Sequence, residues 1–391
     1  MRRQYAILAA AVFATACSDT STPSAPVAPE VTVAPAFGEV IPGQYIVVFN
    51  DGVSDVRGVA RTKSLLLGAT VRHTYTSALR GFAGTMSEAS ANRLRNDPDV
   101  AYVEQDQRMT ASVTQTGATW GLDRVDQRAL PLSTTYSYTA TGAGVTAYII
   151  DTGIEITHPE FGGRASVGYD AVADGRNGID CNGHGTHVSG TTGGATYGVA
   201  KGVKLVAVRV LDCGGSGTNS GVIAGIDWVT ANRVRPAVAN MSLGGGASTA
   251  LDDAVKRSIA SGVAYAVAAG NGFYGFALDA CGSSPSRVPE AMTIGATTRT
   301  DAKASFSNYG NCVDWFAPGV DITSAWLNGG TNTISGTSMA TPHTTGVAAL
   351  YLGGNPGATP QAVRDALFAN ATKGVVTSSR TTNNHLLFTN Y

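Results

Sequence analysis

Charge is scarce in this chain. Lys, Arg, Asp and Glu make up 14% of its 391 residues and nearly cancel, leaving a formal net charge of -1. That balance excludes a nucleic-acid binder held by many phosphate contacts. With 48 glycines it also points away from a coiled coil or a disordered chain and toward a compact, loop-rich fold. Long apolar runs are missing apart from Ala6 to Ala16, which is short for a bilayer span. Cysteine is sparse as well: there are five, and none forms a Cys-x-x-Cys pair, which argues against a zinc site.

What is present begins with an export signal. Arg2 and Arg3 lead into the Ala6 to Ala16 run, which ends in the small residues Ala14-Thr15-Ala16; residues 1–17 are read as a signal peptide. Cys17 gives that end a partial likeness to a bacterial lipoprotein box, but Ala14 stands where such boxes usually carry Leu. Secretion is the expectation, with membrane attachment only through a lipidated Cys17. Residues 18–40 are rich in Ser, Thr, Ala and Pro, too poor in apolar surface to offset the entropy of ordering, and are read as a linker. The other four cysteines, Cys181, Cys213, Cys281 and Cys312, suit two disulfides in an oxidising compartment; counting leaves three connectivities open.

Residues 41–112 read strand, helix, strand, strand, helix, strand. Gln44 to Phe49, Thr70 to Thr76, Arg80 to Met86 and Val100 to Glu104 are β-rich, Ser54 to Leu67 suits a helix, and Ser87 opens a second helix that Asp97-Pro98 ends. This order fits a small ferredoxin-like α+β unit, which alone could serve any binding role. Residues 113–391 alternate apolar β-rich runs with helical ones, the pattern of an α/β, doubly wound, mostly parallel sheet with helices on both faces. The expected strands are Gly144 to Ile150, Lys204 to Val210, Ala237 to Leu243, Val263 to Ala268 and Met292 to Ala296. The expected helices are Thr218 to Arg233, Ala247 to Ser261 and Thr337 to Leu352. In such folds the ligand crevice lies beyond the carboxyl ends of the strands, where Asp151, Ser242 and Asn271 fall.

Three motifs carry the chemistry: Asp151-Thr152-Gly153, His184-Gly185-Thr186-His187, and the segment Gly336-Thr337-Ser338-Met339-Ala340-Thr341-Pro342. They supply a carboxylate, an imidazole and a hydroxyl, the groups that amide hydrolysis by covalent catalysis requires. Asp-Thr-Gly also marks aspartic peptidases, but these need a second such triplet or a symmetric partner; the chain has no second Asp-Thr-Gly or Asp-Ser-Gly and no all-β pattern. His184 and His187 have a spacing that could hold a metal, yet flanking glycines place them at a helix start and no Glu occupies the base position of a zinc peptidase. His184 is therefore the base, with His187 behind it. His73, His158, His343 and His385 are read as surface or locally satisfied groups. Ser338 at a helix start exposes its oxygen and turns its own N–H toward a developing oxyanion. Thr337 is a candidate cap, and Pro342 is placed about the first turn.

These residues, in the order Asp, His, Ser, resemble the subtilase family, and closely its proteinase K and aqualysin branch. The likeness extends through Trp120-Gly121-Leu122-Asp123-Arg124, Cys181-Asn182-Gly183-His184, Leu211-Asp212-Cys213, Asn240-Met241-Ser242-Leu243-Gly244-Gly245, Ala268-Ala269-Gly270-Asn271 and Ser305-Phe306-Ser307-Asn308-Tyr309-Gly310. It implies a serine endopeptidase of broad specificity that acts on proteins and peptides. Asn271 would be the side-chain oxyanion donor; Gly215, Ser216 and Gly217, with Ser242, Leu243 and Gly244, would clamp the substrate as an added strand; Ala269 and Gly270 would leave room for a large apolar or aromatic residue at P1, the position whose carbonyl is attacked.

The resemblance further implies that residues 41–112 are a propeptide, an intramolecular inhibitor and folding assistant removed by self-cleavage near Met109 to Thr114. It implies disulfides Cys181–Cys213 and Cys281–Cys312, and structural calcium at two sites: Asp314 with the carbonyls of Pro289 and Ala291, and Asp123, Asp126 and Gln127. No organic cofactor is expected, and the enzyme is expected to be a monomer. Departures are the aromatic loop Gly272-Phe273-Tyr274-Gly275-Phe276, where this branch is more polar, and Ser189, Thr344 and Thr345 in place of commoner Ala or Val, with small consequences for packing. A degenerate, inactive family member acting as a binding protein is the remaining alternative, although every catalytic side chain is present.

Overall fold

A computed structural model describes residues 40–107, 113–274 and 276–391. The expected signal peptide, the expected linker except its last residue, Val40, and residues 108–112, which hold most of the expected cleavage region, lie outside the described residues.

The first unit runs Val40–Phe49 (β1), Val56–Leu67 (α1), Thr70–Tyr75 (β2), Gly81–Thr85 (β3), Glu88–Arg95 (α2) and Val100–Gln107 (β4). Its four strands form one antiparallel sheet in the order β2-β3-β1-β4, the βαββαβ arrangement expected. The helix ends follow from local chemistry. Asp55 accepts from the Gly58 N–H at the start of α1, left-handed Gly68 ends it, and Ser87 caps α2 by accepting from Ser90 N–H. Val47, Phe49, Phe82, Ala91 and Leu94 form this unit's own core.

After Val113–Thr116 (β5), Trp120–Val125 (α3) and Thr135–Tyr138 (β6), the chain enters the large sheet. Its elements are Thr146–Asp151 (β7), Ala165–Asp170 (β8), His184–Gly193 (α4), Lys204–Arg209 (β9), Asn219–Asn232 (α5) and Ala237–Met241 (β10). Gly245–Gly246 (β11), Thr249–Ala260 (α6), Val263–Ala268 (β12), Ser283–Ser284 (β13), Met292–Thr297 (β14) and Trp315–Pro318 (β15) follow. Ile322–Trp326 (β16), Gly330–Ile334 (β17), Thr337–Gly354 (α7), Pro360–Asn370 (α8), Thr372–Lys373 (β18) and His385–Leu386 (β19) complete the unit. Nine strands lie in the order β18-β19-β15-β14-β12-β10-β7-β9-β8, parallel except for the β18–β19 pair.

Strand β7 is the topological pivot. It pairs with β9 on one side and β10 on the other, so the chain crosses over it and opens a crevice at its carboxyl end, where Asp151 stands. All six β7 residues are buried because both sheet faces are covered. Ala147 and Ile149 enter the core shared with Val188 of α4 and Val347 of α7. Tyr148 and Ile150 enter the opposite core, with Val222 and Ile226 of α5 and Val255 of α6. Period-two alternation thus feeds two cores, and no polar face remains to interrupt the apolar run.

The expected strands and helices occur within a few residues of their expected bounds. Strand β8, the four-residue β15, the β16–β17 hairpin, α3 and α8 were not among them. Strand β8 is an edge with two exposed positions, β15 ends in Pro318, and α3 has six residues buried on every side, so none shows a clear period. Helix α8 does carry a legible signal, Thr359 capping Ala362 N–H with Pro360 at the first turn. Among the described residues no helix is long and apolar enough to cross a membrane.

Candidate active site

The β7 end and the start of α4 meet first. His184 is the first residue of α4, behind Gly183 in a positive-φ conformation (106°). A side chain on Gly183 would strike the Trp326 ring at 2.4 Å, and one on Gly185 would strike the Gly153 carbonyl at 2.1 Å; only glycine lets the helix start press against the loop after Asp151. His184 Nδ1–H donates to Asp151 Oδ1 at 2.7 Å, an oxygen that also accepts the Thr152 N–H at 2.8 Å. Asp151 is fully buried, while the His184 side chain keeps 24% exposure. Burial works against a charged imidazole, but the Asp151 charge and hydrogen bond, helped by Asp180, outweigh it and raise the His184 pKa above its ordinary 6.5.

Asp180 ties the two elements together and was not singled out from the sequence. Its Oδ1 accepts from Thr152 Oγ1, Asn182 N and Gly183 N, and its Oδ2 from Thr186 N and Thr186 Oγ1, all between 2.6 and 3.0 Å. Thr152 Oγ1 in turn accepts from Gly185 N. One buried carboxylate therefore fixes the residue after Asp151, the turn before His184 and the first turn of α4. The local signal for it is Asp180-Cys181-Asn182-Gly183, an Asx-turn composition.

Ser338 is the second residue of α7, whose N-cap, Gly336, has no side chain to offer. Thr337 does not cap the helix. Its N–H and hydroxyl both donate to Asn271 Oδ1 at 2.8 Å, and because an N–H must face an oxygen this fixes the amide with Nδ2 pointing away. A methyl group built on Gly336 would lie 3.3 Å from Asn271 Nδ2 and 3.6 Å from Ser338 N, so two N–H donors converge on one small space. Pro342 sits six residues into α7, past the first turn, where it withholds the N–H that Ser338 O would otherwise accept. Ser242 Oγ takes that place at 2.8 Å, and Ser338 Oγ donates to Ser242 O at 3.1 Å.

Residues read as replacements of small consequence join this network. Thr345 Oγ1 donates to Asn240 Oδ1, and Asn240 Nδ2 donates to Ser242 Oγ; Thr344 accepts from Trp315 Nε1, and Ser189 donates to Gly185 O. His187 is buried behind the site with Nε2 against Ile322 O, and burial pushes its pKa down to about 4. His158 and His343 are likewise engaged with backbone groups.

A cleft of about 530 Å³ is lined by His184, by Gly215, Ser216 and Gly217, and by Ser242, Leu243 and Gly244. An adjoining cleft of about 770 Å³ is lined by Gly244, Ala268, Ala269, Gly270, Asn271 and Ser338 and rimmed by Phe273 and Phe276. The Asp212 carboxylate shapes the first edge by accepting from Gly214 N and Ser216 N. The disulfides are Cys181–Cys213, bracing the His184 turn to that edge, and Cys281–Cys312.

The cation donor sets differ in fit. Asp126 Oδ1 is buried with no partner among the described residues, and burial, reinforced by the Asp123 charge, pushes its carboxyl up to about 7. Gln127 Nε2 is spent on Ala129 O and Pro131 O, which leaves its carbonyl oxygen available. Asp123 accepts from Ser133 N, Ser133 Oγ and Thr134 N. That group, with an orphaned carboxyl oxygen whose charge a cation would stabilise, suits a hard cation. Asp314 is buried and bound to Arg364 and to Thr293 N–H, so a guanidinium already neutralises the charge a cation there would meet. Among the described residues no cluster of three or more His, Cys, Asp or Glu is arranged to hold a metal.

The aspartic alternative does not survive: among the described residues the hydrogen-bond partners of the Asp151 carboxylate are an imidazole and a backbone N–H, with no second carboxylate sharing its proton. Comparison with known proteins agrees. The Subtilase family model matches residues 142–387, and the Peptidase inhibitor I9 model matches residues 44–112. The chain is 55% identical to an extracellular serine proteinase of Thermus sp. (strain Rt41A) over 94% of its own length and 95% of that protein. It is 53% identical to alkaline serine exoprotease A of Vibrio alginolyticus over 83% of its length and 61% of the relative. A crystal structure of a cold adapted subtilisin-like serine proteinase superposes with a TM-score of 0.68 at 57% identity, covering 70% of this chain and 98% of that one. The chain belongs to the subtilase family and is a serine endopeptidase preceded by an inhibitor-type domain.

Proposed function

We propose that Ser338 is the nucleophile, His184 its general base and Asp151 the carboxylate that fixes the imidazole tautomer and steadies the imidazolium. The Ser338 hydroxyl turns from Ser242 O toward His184 Nε2 and loses its proton there as Oγ bonds the substrate carbonyl carbon. The carbonyl electron pair moves onto oxygen, where Asn271 Nδ2–H and Ser338 N–H receive it. Collapse breaks the C–N bond, and His184 returns the proton to the departing amine. Water, activated by the same base, then releases the acid from Ser338. The observation that carries this reading is the 2.7 Å bond between His184 and buried Asp151. Ser338→Ala is its test: uncut precursor should accumulate and labelling by an active-serine reagent should vanish. Processing at the normal rate in that variant would end the proposal.

The substrate lies as an added strand between Gly215, Ser216 and Gly217 on one side and Ser242, Leu243 and Gly244 on the other. Backbone pairing reads few side chains, hence the broad specificity. Ala269 and Gly270 favour a large apolar or aromatic P1 residue, a reading that fails if peptides with P1 Lys or Asp are cut best. Residues 41–112 act as propeptide and are removed near Met109 to Thr114; a mature chain still beginning near residue 18 would remove that idea. The names of the relatives, extracellular and exoprotease, support secretion; the enzyme acts as a monomer on protein and peptide substrates, with lipid attachment at Cys17 as the alternative. Calcium, when bound, supplies rigidity rather than chemistry. Asp123, Asp126 and Gln127 would hold it, and Asp314 with the carbonyls of Pro289 and Ala291 forms the weaker candidate site.

A further inference from the structure

The loop that follows Asn271 exposes aromatic surface to an unusual degree. Phe273, Tyr274 and Phe276 are 66%, 86% and 75% exposed, and among the described residues the one other exposed Phe, Tyr or Trp is Tyr102, at 49%. Exposed rings gathered in one loop mark a contact surface more often than chance. Their placement says with what. Phe273 and Phe276 line the mouth of the 770 Å³ cleft whose walls include Gly270 and Ser338.

The loop is built to hold them there. Phe273 and Phe276 exchange two backbone hydrogen bonds, N–H to O at 2.9 and 3.0 Å. Gly272 adopts a positive φ of 71°, and a side chain on it would meet Phe276 O at 2.1 Å. At the loop's base, Leu278 N–H donates to Asn308 Oδ1, while Asn308 Nδ2 donates to Ala269 O and Asn308 N–H to Gly270 O. The rim and the small-residue wall of the cleft thus hang on one asparagine. Tyr274 lines neither cleft; its ring meets that of Phe273 edge-on, centroids 4.4 Å apart and planes at 75°, and props it.

We propose that Phe273 and Phe276 are specificity-determining residues that pack against an aromatic P1 side chain of the substrate, so that the enzyme prefers aromatic over aliphatic residues at that position. This rests on the reading of the cleft as the P1 pocket. Small side chains in the wall set room and little preference among large apolar groups; an aromatic mouth discriminates by ring-on-ring contact, which contributes roughly two- to tenfold. The occupant follows from continuity, since the rings border the same space as the Ser338 hydroxyl and not a separate groove.

The test is a ratio. Peptides identical except for P1 Phe, Leu or Ala are hydrolysed by the wild-type enzyme processed from the full chain, and by F273S, F276S, F276Y and Y274S. Active-serine labelling counts folded sites in each. The Phe to Leu ratio of kcat/KM should fall roughly two- to tenfold in F273S and F276S, less in Y274S, and stay near wild type in F276Y. A ratio unchanged in both serine variants overturns the inference, as does a loss that follows residues varied on the leaving-group side and not P1. If the wild type itself cuts best after Lys or Asp, the P1 reading has failed first; if it prefers apolar P1 residues and the variants keep its ratio, the rim alone has failed.

Discussion

Ser242 and Ser338 bond each other twice: the hydroxyl of Ser242 donates to the carbonyl of Ser338, and the hydroxyl of Ser338 donates to the carbonyl of Ser242. The first bond exists because Pro342, four residues on, has no N–H for that carbonyl. Ser242→Ala should then destabilise the active-site-blocked enzyme by about 1 kcal/mol, the usual net size of such a bond. In a Pro342→Ala background, where the helix can supply the missing donor, the same change should cost less. Unfolding of the four proteins of this double-mutant cycle checks it, and strict additivity would show that the proline does not create the need for Ser242.

Asp180 should behave as a positioning residue. Its removal loosens the turn before His184 and takes away a charge that favours the imidazolium. The base works only when neutral, so kcat/KM in the wild type rises with pH through a value above 6.5. Asp180→Asn should move that acid limb to lower pH while lowering the plateau roughly 10- to 100-fold, the scale of a small misplacement. A lower plateau with an unmoved limb would mean a purely structural role.

Thr337 should matter through Asn271. Asn271→Ala is expected to lower kcat about 10²- to 10³-fold with little change in KM, the size already known for the corresponding side-chain donor in subtilisin. Thr337→Val keeps the volume and the N–H bond but loses the hydroxyl that clamps Asn271 Oδ1, and should cost less, roughly tenfold. Added to Asn271→Ala it should cost almost nothing more. Steady-state kinetics of the two single variants and the double variant decide this.

Chelation should shorten the half-life of thermal inactivation, and saturating calcium should lengthen it, by about 2.7 kcal/mol of apparent stability at a hundredfold excess over Kd. Asp126→Asn, which removes the carboxyl whose orphaned oxygen a cation would bind, should blunt that response. Inactivation rates indifferent to both chelator and calcium would dismiss the site.

Much of the fold and of the site is legible in the sequence. The strands that carry Asp151 and support Ser242 are buried on every residue and mostly apolar because both faces are covered, and the helix of Ser338 follows a glycine-terminated loop. Less readable were relationships that join distant segments. Thr337 has the composition of a cap, and nothing local says that its partner is Asn271, 66 positions earlier. Thr345 looks like a packing substitution until Asn240 is beside it. Strand β8 and helix α3 have no period to read, the one lying at an edge and the other being wholly enclosed. Pro342 could be placed only to within a turn, and that turn decides which carbonyl it frees.

The two sheets have no strand in common, and each unit has a core of its own. A cut between Gln107 and Val113, before β5 begins to pair with β6, would therefore break no ladder on either side. On the proposed processing the inhibitor would leave as a finished object, taking its own core with it, and among the described residues the enzyme would have no strand pairing to re-knit.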